Sequence, residues 1–208
     1  MIAKALACAS AALLSACVTS TVDEMVYNKP ALGIGDASVV ILGRRHASDY
    51  ETEPDFVTCV GDYIASGDKT ITVISELDFL NELYPWFEPR TAPLHPADIE
   101  RLLQQKPVAD KMAALKVEYM IRLDGSTERA GGSGSMACSL GGCFGFGTWS
   151  HDANYEATIW DFTDKAEVGH VNTKATGQSY MPAVIVPIPI IAPVQGTACD
   201  GIGQQLLQ

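Results

Sequence analysis

Six cysteines carry most of the chemistry open to this chain, and their spacing is uneven. Cys138 and Cys143 stand close together inside a glycine-rich stretch, Gly131 to Gly147. Cys8 and Cys17 lie in an apolar N-terminal run, and Cys59 and Cys199 are far apart. Zinc sites need cysteine or histidine ligands at short, fixed spacings. His46, His95, His151 and His170 are scattered, and no histidine pair stands beside the close cysteines. Nucleophilic hydrolysis from a strand-to-helix turn uses Gly-x-Ser-x-Gly, which is absent. The glycine run lacks the Gly-Lys-Ser/Thr that completes a phosphate cradle. Asp49 and Glu51 read as solvated surface charges. These residue types predict no catalytic site, no metal site and no cofactor.

The sharpest motif is N-terminal. Lys4 precedes an apolar run from Ala5 to Ala16 that ends in small residues. A membrane-spanning helix needs about 20 apolar residues, so this shorter run reads as a secretory signal. Leu14-Ser15-Ala16-Cys17 matches the bacterial lipobox, an aliphatic residue, two small ones and a cysteine. That match implies cleavage before Cys17, a diacylglyceryl group on its thiol and acylation of the freed amine. Each buried methylene contributes about 0.8 kcal/mol, so two or three chains hold a protein on a membrane where one chain gives only marginal binding. Val18 stands where inner-membrane lipoproteins of enteric-type bacteria usually carry Asp. By that resemblance the protein goes to the outer membrane, facing the periplasm or the cell surface.

Outside the cytoplasm the four remaining cysteines can oxidise, with three possible pairings. The closeness of Cys138 and Cys143 pairs them and leaves Cys59 with Cys199; buried free thiols are the alternative. The net charge of −11 makes the chain a poor nucleic-acid binder. Anionic head groups would also repel it, so lipid rather than charge must hold it at a membrane. Residues 1–16 are thus read as a signal peptide and residues 17–36, with Pro30, Gly33 and Gly35, as a polar lipidated tether. Residues 37–208 are long enough for one domain with a sizeable core.

The elements of that domain follow from hydrophobic spacing. Ala37 to Gly43 is a continuous apolar run, expected as a strand covered on both faces. Phe56, Cys59, Val60, Tyr63 and Ile64 share one face of a helix over 54–65, opened by Pro54. Ile71 to Ile74 is a short strand, and Ser75, with Asp78 three residues on, caps a helix through Tyr84. Pro85, Pro89 and Pro93 punctuate a loop, and Pro96 and Pro107 each open a helix. Val117, Tyr119, Ile121 and Leu123 alternate with polar residues, as in a half-buried strand. Tyr155 to Phe162 and Val168 to Thr176 form a hairpin, and a last helix over 197–207 turns Cys199, Ile202 and Leu206 inward. Helices early and antiparallel strands late predict an α/β protein of the α+β sandwich kind, one mixed, largely antiparallel sheet with helices packed on it. Neighbouring helices on one sheet face would bring Cys59 and Cys199 together.

Two stretches could form surfaces. Gly131 to Gly147 reads as a hairpin tip closed by Cys138–Cys143. Phe144, Phe146 and Trp149 beside those glycines make either a sticky exposed interaction surface or part of the core. Ala183 to Pro193 is the most apolar stretch of the mature chain, and its prolines remove ladder donors. It is expected as a buried extended segment, with an edge docked on a partner or a lipid surface as the other reading.

Three segments carry a resemblance. Ile71 to Leu83 looks like the strand and helix that follow the first helix in CsgG-like and TolB N-terminal-like envelope domains. Ala114 to Gly125 resembles their turn into a Tyr-bearing strand ending in Gly, and Tyr155 to Gly169 resembles their hairpin. The resemblance spans roughly residues 37–208 and implies a non-enzymatic protein that binds or helps assemble other envelope proteins. The chain shows no pair of long alternating segments to line a membrane barrel, which counts against a pore subunit. A periplasm-facing hydrolase or small-ligand-binding domain is the alternative. Metabolic labelling with a fatty-acid analogue should mark the wild-type chain and leave Cys17→Ala unlabelled; equal labelling of both would contradict the anchor.

Overall fold

Where apolar residues recur every second position the chain pairs, and where they recur every three or four it coils. The computed structural model describes residues 18–26, 38–46, 49–67, 71–88, 91–93 and 96–207. The elements run β1 (Val18–Val26), β2 (Ser38–Gly43), β3 (Arg45–His46), β4 (Asp49–Tyr50), α1 (Pro54–Gly67), β5 (Thr72–Ile74) and α2 (Glu76–Glu82). After these come α3 (Pro96–Leu103), α4 (Lys106–Leu115), β6 (Val117–Ser139), β7 (Gly142–Asp161), β8 (Ala166–Pro187) and α5 (Val194–Leu206). Six strands form one sheet in the order β1-β8-β7-β6-β2-β5, and β3 and β4 pair separately. β2 is parallel to β5 and β6, while β6, β7, β8 and β1 pair antiparallel. The expected fold class, a mixed, largely antiparallel sheet under helices, is the one observed.

Helices cover both faces of one half of the sheet. Val39 and Ile41 of β2 face α1 and α5, where they join Phe56, Val60, Ile64 and Ile202. Val40 and Leu42 face the other way, onto Phe79 of α2, Ile99 of α3 and Met112 of α4. The start of β6 is therefore buried on both faces, with Met120 and Ile121 equally covered, and not half-buried as its alternation suggested. α2 is capped as its sequence predicts. The Ser75 hydroxyl accepts from the Asp78 backbone N–H at 3.2 Å and donates to the Asp78 carboxylate at 2.7 Å. A disulfide joins Cys59 on α1 to Cys199 on α5, with Cα atoms 6.3 Å apart and 140 residues between them. In the chain-entropy account such a long closed loop contributes up to about 4–5 kcal/mol.

Tyr155 marks the end of the helix-covered half. Its ring stacks on Phe56 with centroids 3.5 Å apart. Its hydroxyl donates to Glu53 Oε2 at 2.9 Å, lies 2.7 Å from Thr127 Oγ1 and accepts from Gln195 Nε2 at 3.4 Å. Glu53 Oε1 in turn accepts the Thr127 backbone N–H at 2.8 Å. One phenol thus ties the residue before α1 to β6, β7 and α5.

Two expectations are corrected here. The segment read as a tether is a strand from Val18 to Val26, paired with β8 from Gly177 to Gly169. Its threonines and valines favour a sheet edge, which its polar overall composition hid. The rest of that tether and the signal peptide, with Cys8 and Cys17, lie outside the described residues. Long paired strands are also present, for β6, β7 and β8 run 23, 20 and 22 residues. Glycine is a poor strand former, so the glycines of 131–147 mark a hairpin tip without showing how long its strands are.

Burial, first of all, pushes the Tyr155 phenol up to about 12, with Glu53 adding to the effect and the hydrogen bonds from Thr127 and Gln195 opposing it. Burial likewise pushes Tyr119 up to about 12, aided by Asp161 and Glu118. An unfolded tyrosine ionises near 10, so the folded state holds these protons more tightly. The stability they contribute is complete below about pH 10 and is lost as the pH climbs towards about 12. Ultraviolet titration of wild type against Tyr119→Phe and Tyr155→Phe should find these two tyrosines ionising late and together with unfolding. Ionisation of Tyr119 and Tyr155 near pH 10 in an intact fold would contradict this.

Candidate functional site

Beyond Tyr155 the helices stop and the strands continue. The distal parts of β6, β7 and β8 stand out from the body as a three-stranded arm. From Ala130 to Ser139 the arm is ten residues, so roughly 30 Å long. At its base the β6–β7 register shifts between Ala130 and Gly132, and Gly131 adopts a φ of 65°. That bulge bends and twists the ladder where cover is lost. Farther out, Gly145 is required by close approach. A Cβ there would fall 2.2 Å from the Ser135 carbonyl oxygen across the ladder. The tip turn, Leu140 and Gly141, is closed by Cys138–Cys143, whose Cα atoms are 4.0 Å apart. Both disulfides are the pairs the sequence predicts.

The arm carries no Asp, Glu, Lys or Arg. None occurs from Ala130 to Ser150, nor from Ala175 to Cys199, in a chain that is 19% charged. It carries exposed apolar side chains instead. Phe144 is 57% exposed and sits directly across from Val184, which is 73% exposed. Phe146 faces Pro182, and its ring lies 6.0 Å from that of Tyr180. Leu140, Ile185, Val186, Ile188 and Ile191 are exposed as well.

The structure divides the three aromatics read as one surface. Phe144 and Phe146 share one face of β7, and Trp149, of opposite parity, points to the other. Trp149 is half-buried at the arm's base, with the Arg129 guanidinium 5.2 Å from its ring centroid. The apolar run from Ala183 is not a buried segment. Ala183 and Ala192 are buried, but Val184, Ile185 and Val186 end β8 in solvent. After Pro187 the chain doubles back along β8. Ile190 and Tyr180 exchange backbone hydrogen bonds at 2.7 and 2.8 Å, and the Ala192 N–H donates to Ser179 Oγ at 3.0 Å. Hydropathy alone could not say that no helix would reach this far; the missing charges are the signal that could have.

The open face of the body has the opposite character. On β6 and β7, Asp124 stands opposite Glu156 and Glu128 opposite Asp152. Like charges so placed repel, so they need company. Arg44 bonds Asp124 and Glu51, both at 2.6 Å, and Asp124, foremost, holds that guanidinium firmly charged. His170 lies 3.5 Å from Glu156. At the end of β2, the Arg45–Glu76 pair at 3.2 Å borders a cavity of about 50 Å³ walled by Leu42, Leu80, Phe87 and Met120. That is room for about three or four waters. Among the described residues there is no group of three side chains placed to hold a metal, and no helix long and apolar enough to cross a membrane.

No protein-family model and no curated protein sequence matches the chain. Solved structures give distant likenesses. A PelC dodecamer from Paraburkholderia phytofirmans is 12% identical over 91% of this chain and 96% of its own, with a TM-score of 0.43. A single-residue variant of it is 14% identical over the same shares, at 0.42. A neuraminyllactose-binding hemagglutinin homolog from Helicobacter pylori is 10% identical over 83% of this chain and 80% of its own, at 0.35. At these values none of them bears on function.

Because the arm's apolar side chains are exposed, Phe144→Ser with Val184→Ser should leave folding stability within about 0.5 kcal/mol of wild type. The pair should sharply reduce binding of a fluorescent hydrophobic dye. Val171→Ala, in the core, should cost about 2 kcal/mol or more. Destabilisation by the surface pair comparable to Val171→Ala, in a denaturant titration, would show that the tip is packed.

Proposed function

We propose that this chain is a non-catalytic envelope lipoprotein, held by lipid on Cys17 to the outer membrane, that binds or helps assemble other envelope proteins. The observation that carries the reading is the division of the surface between an uncharged arm, apolar at its end, and a body with a polar, charged open face. Such an arm suits contact, because it is apolar at its end and carries no Asp, Glu, Lys or Arg. The lipobox at Leu14 to Cys17 supports the anchor, and two disulfides suit an oxidising compartment. The order of elements that resembles CsgG-like and TolB N-terminal-like envelope domains supports assembly work. The open face, where exposed Asn154 lies between Asp152 and Glu156, is broad and polar enough to receive a protein partner.

A photo-crosslinking residue at Asn154 in living cells should give a discrete adduct with an envelope protein. The same residue at exposed Leu77 on α2 should give none. Absence of an adduct from Asn154, or equal adducts from both positions, would count against this reading.

A further inference from the structure

The strand nearest the N-terminus fixes where a lipid on Cys17 must leave the fold. β1 runs antiparallel to β8, with Val18 opposite Gly177 and Val26 opposite Gly169. The chain entering at Val18 therefore comes from the side of the arm and not from the helix-covered half. Cys17 is one residue away, and successive Cα atoms are only about 3.8 Å apart. Val184 lies seven residues farther along β8 than Gly177, a rise of roughly 20–25 Å. The attachment point and the apolar tip are thus at the base and the end of the same arm.

Resting on the lipid-anchored reading above, we infer that the apolar end of the arm is a second membrane contact, docked into the head-group region of the bilayer that holds the Cys17 lipid. Three observations favour a bilayer over a protein as the occupant. The anchor brings the arm within its own length of the membrane surface. The arm has no charge to desolvate at a lipid interface, while the acidic pairs Asp124–Glu156 and Glu128–Asp152 lie back towards the body. Its exposed side chains, Phe144, Phe146, Val184, Ile185, Val186 and Ile188, are of the kind that partition into the acyl boundary. A single arm docks and does not span. Among the described residues β6 has no strand beyond it past Leu123, where β2 ends. An open edge of that kind does not occur in the hydrocarbon region. The contact is apolar, so salt should not weaken it and anionic lipid should not strengthen it, unlike a basic patch.

The test uses the full lipidated chain on phosphatidylcholine vesicles, with Val184→Trp or, as a control on the body, Leu77→Trp. Both positions are exposed, so both variants should fold. On vesicles with brominated acyl chains, Val184→Trp should lose most of the added tryptophan's emission and Leu77→Trp should lose little. Added salt should weaken neither signal, and added phosphatidylglycerol should strengthen neither. Ile188→Trp repeats the measurement from the returning segment. Chain that floats with the vesicles while Trp at 184 and 188 stays unquenched would overturn the second contact and leave the anchor standing. Chain that remains in the aqueous fraction would overturn the lipid-anchored reading and the inference with it.

Discussion

An antiparallel ladder satisfies its own backbone donors and acceptors, but it cannot cover its own side chains. β6, β7 and β8 are each at least 20 residues long, while α1 and α5 cover them only as far as Tyr155 and the residues around it. The body follows from the covered half. There Phe56, Ile121, Tyr155 and Ile202 meet, and Cys59–Cys199 holds the two helices on that face. The arm follows from the uncovered half. An isolated two-stranded hairpin is marginal in water, so the arm needs its third strand, the returning segment at Ile188–Ala192 and the disulfide at its tip.

That division also sorts the chemistry. Charged residues gather where helices and strand ends can pair them, as Arg44 does with Asp124 and Glu51. None occurs on the arm, where neither a helix nor an ion-pair partner is within reach. A chain with net charge −11 and no charged residue on its arm presents a neutral, apolar arm to whatever it touches. The first strand, β1, enters beside that arm, so a lipid at Cys17 and the apolar tip would act on one surface.

Much of this was legible in the residues. The helix stripes, the Ser75 cap with Asp78, the doubly buried run at 38–43 and the Cys138–Cys143 pair all express local spacing, and the fold realises them; Cys59–Cys199 follows as the pair that remains. Less legible were features set by cover and not by spacing. Glycines from 131 to 147 mark the hairpin tip but hide the length of its strands, where missing side chains let the ladder close tightly at Gly145. The run at 183–193 has the hydropathy of a core segment, and only the register shows that Val184 stands with Phe144 on the open face, opposite the one that α5 covers. Trp149 could not be assigned a face until the register put it opposite in parity to Phe146. β1 was hidden because its partner lies some 150 residues downstream, and edge strands carry weak hydrophobic alternation.

The account stands on the arm being a contact surface at the membrane and not an ornament of the fold. Amide hydrogen exchange, compared between the membrane-bound protein and its Cys17→Ala form in solution, reads this directly. The account predicts slower exchange on the membrane in 134–146 and 182–191, with the helix-covered core unchanged. Equal exchange of those segments in both forms, or protection confined to the helices, would contradict it.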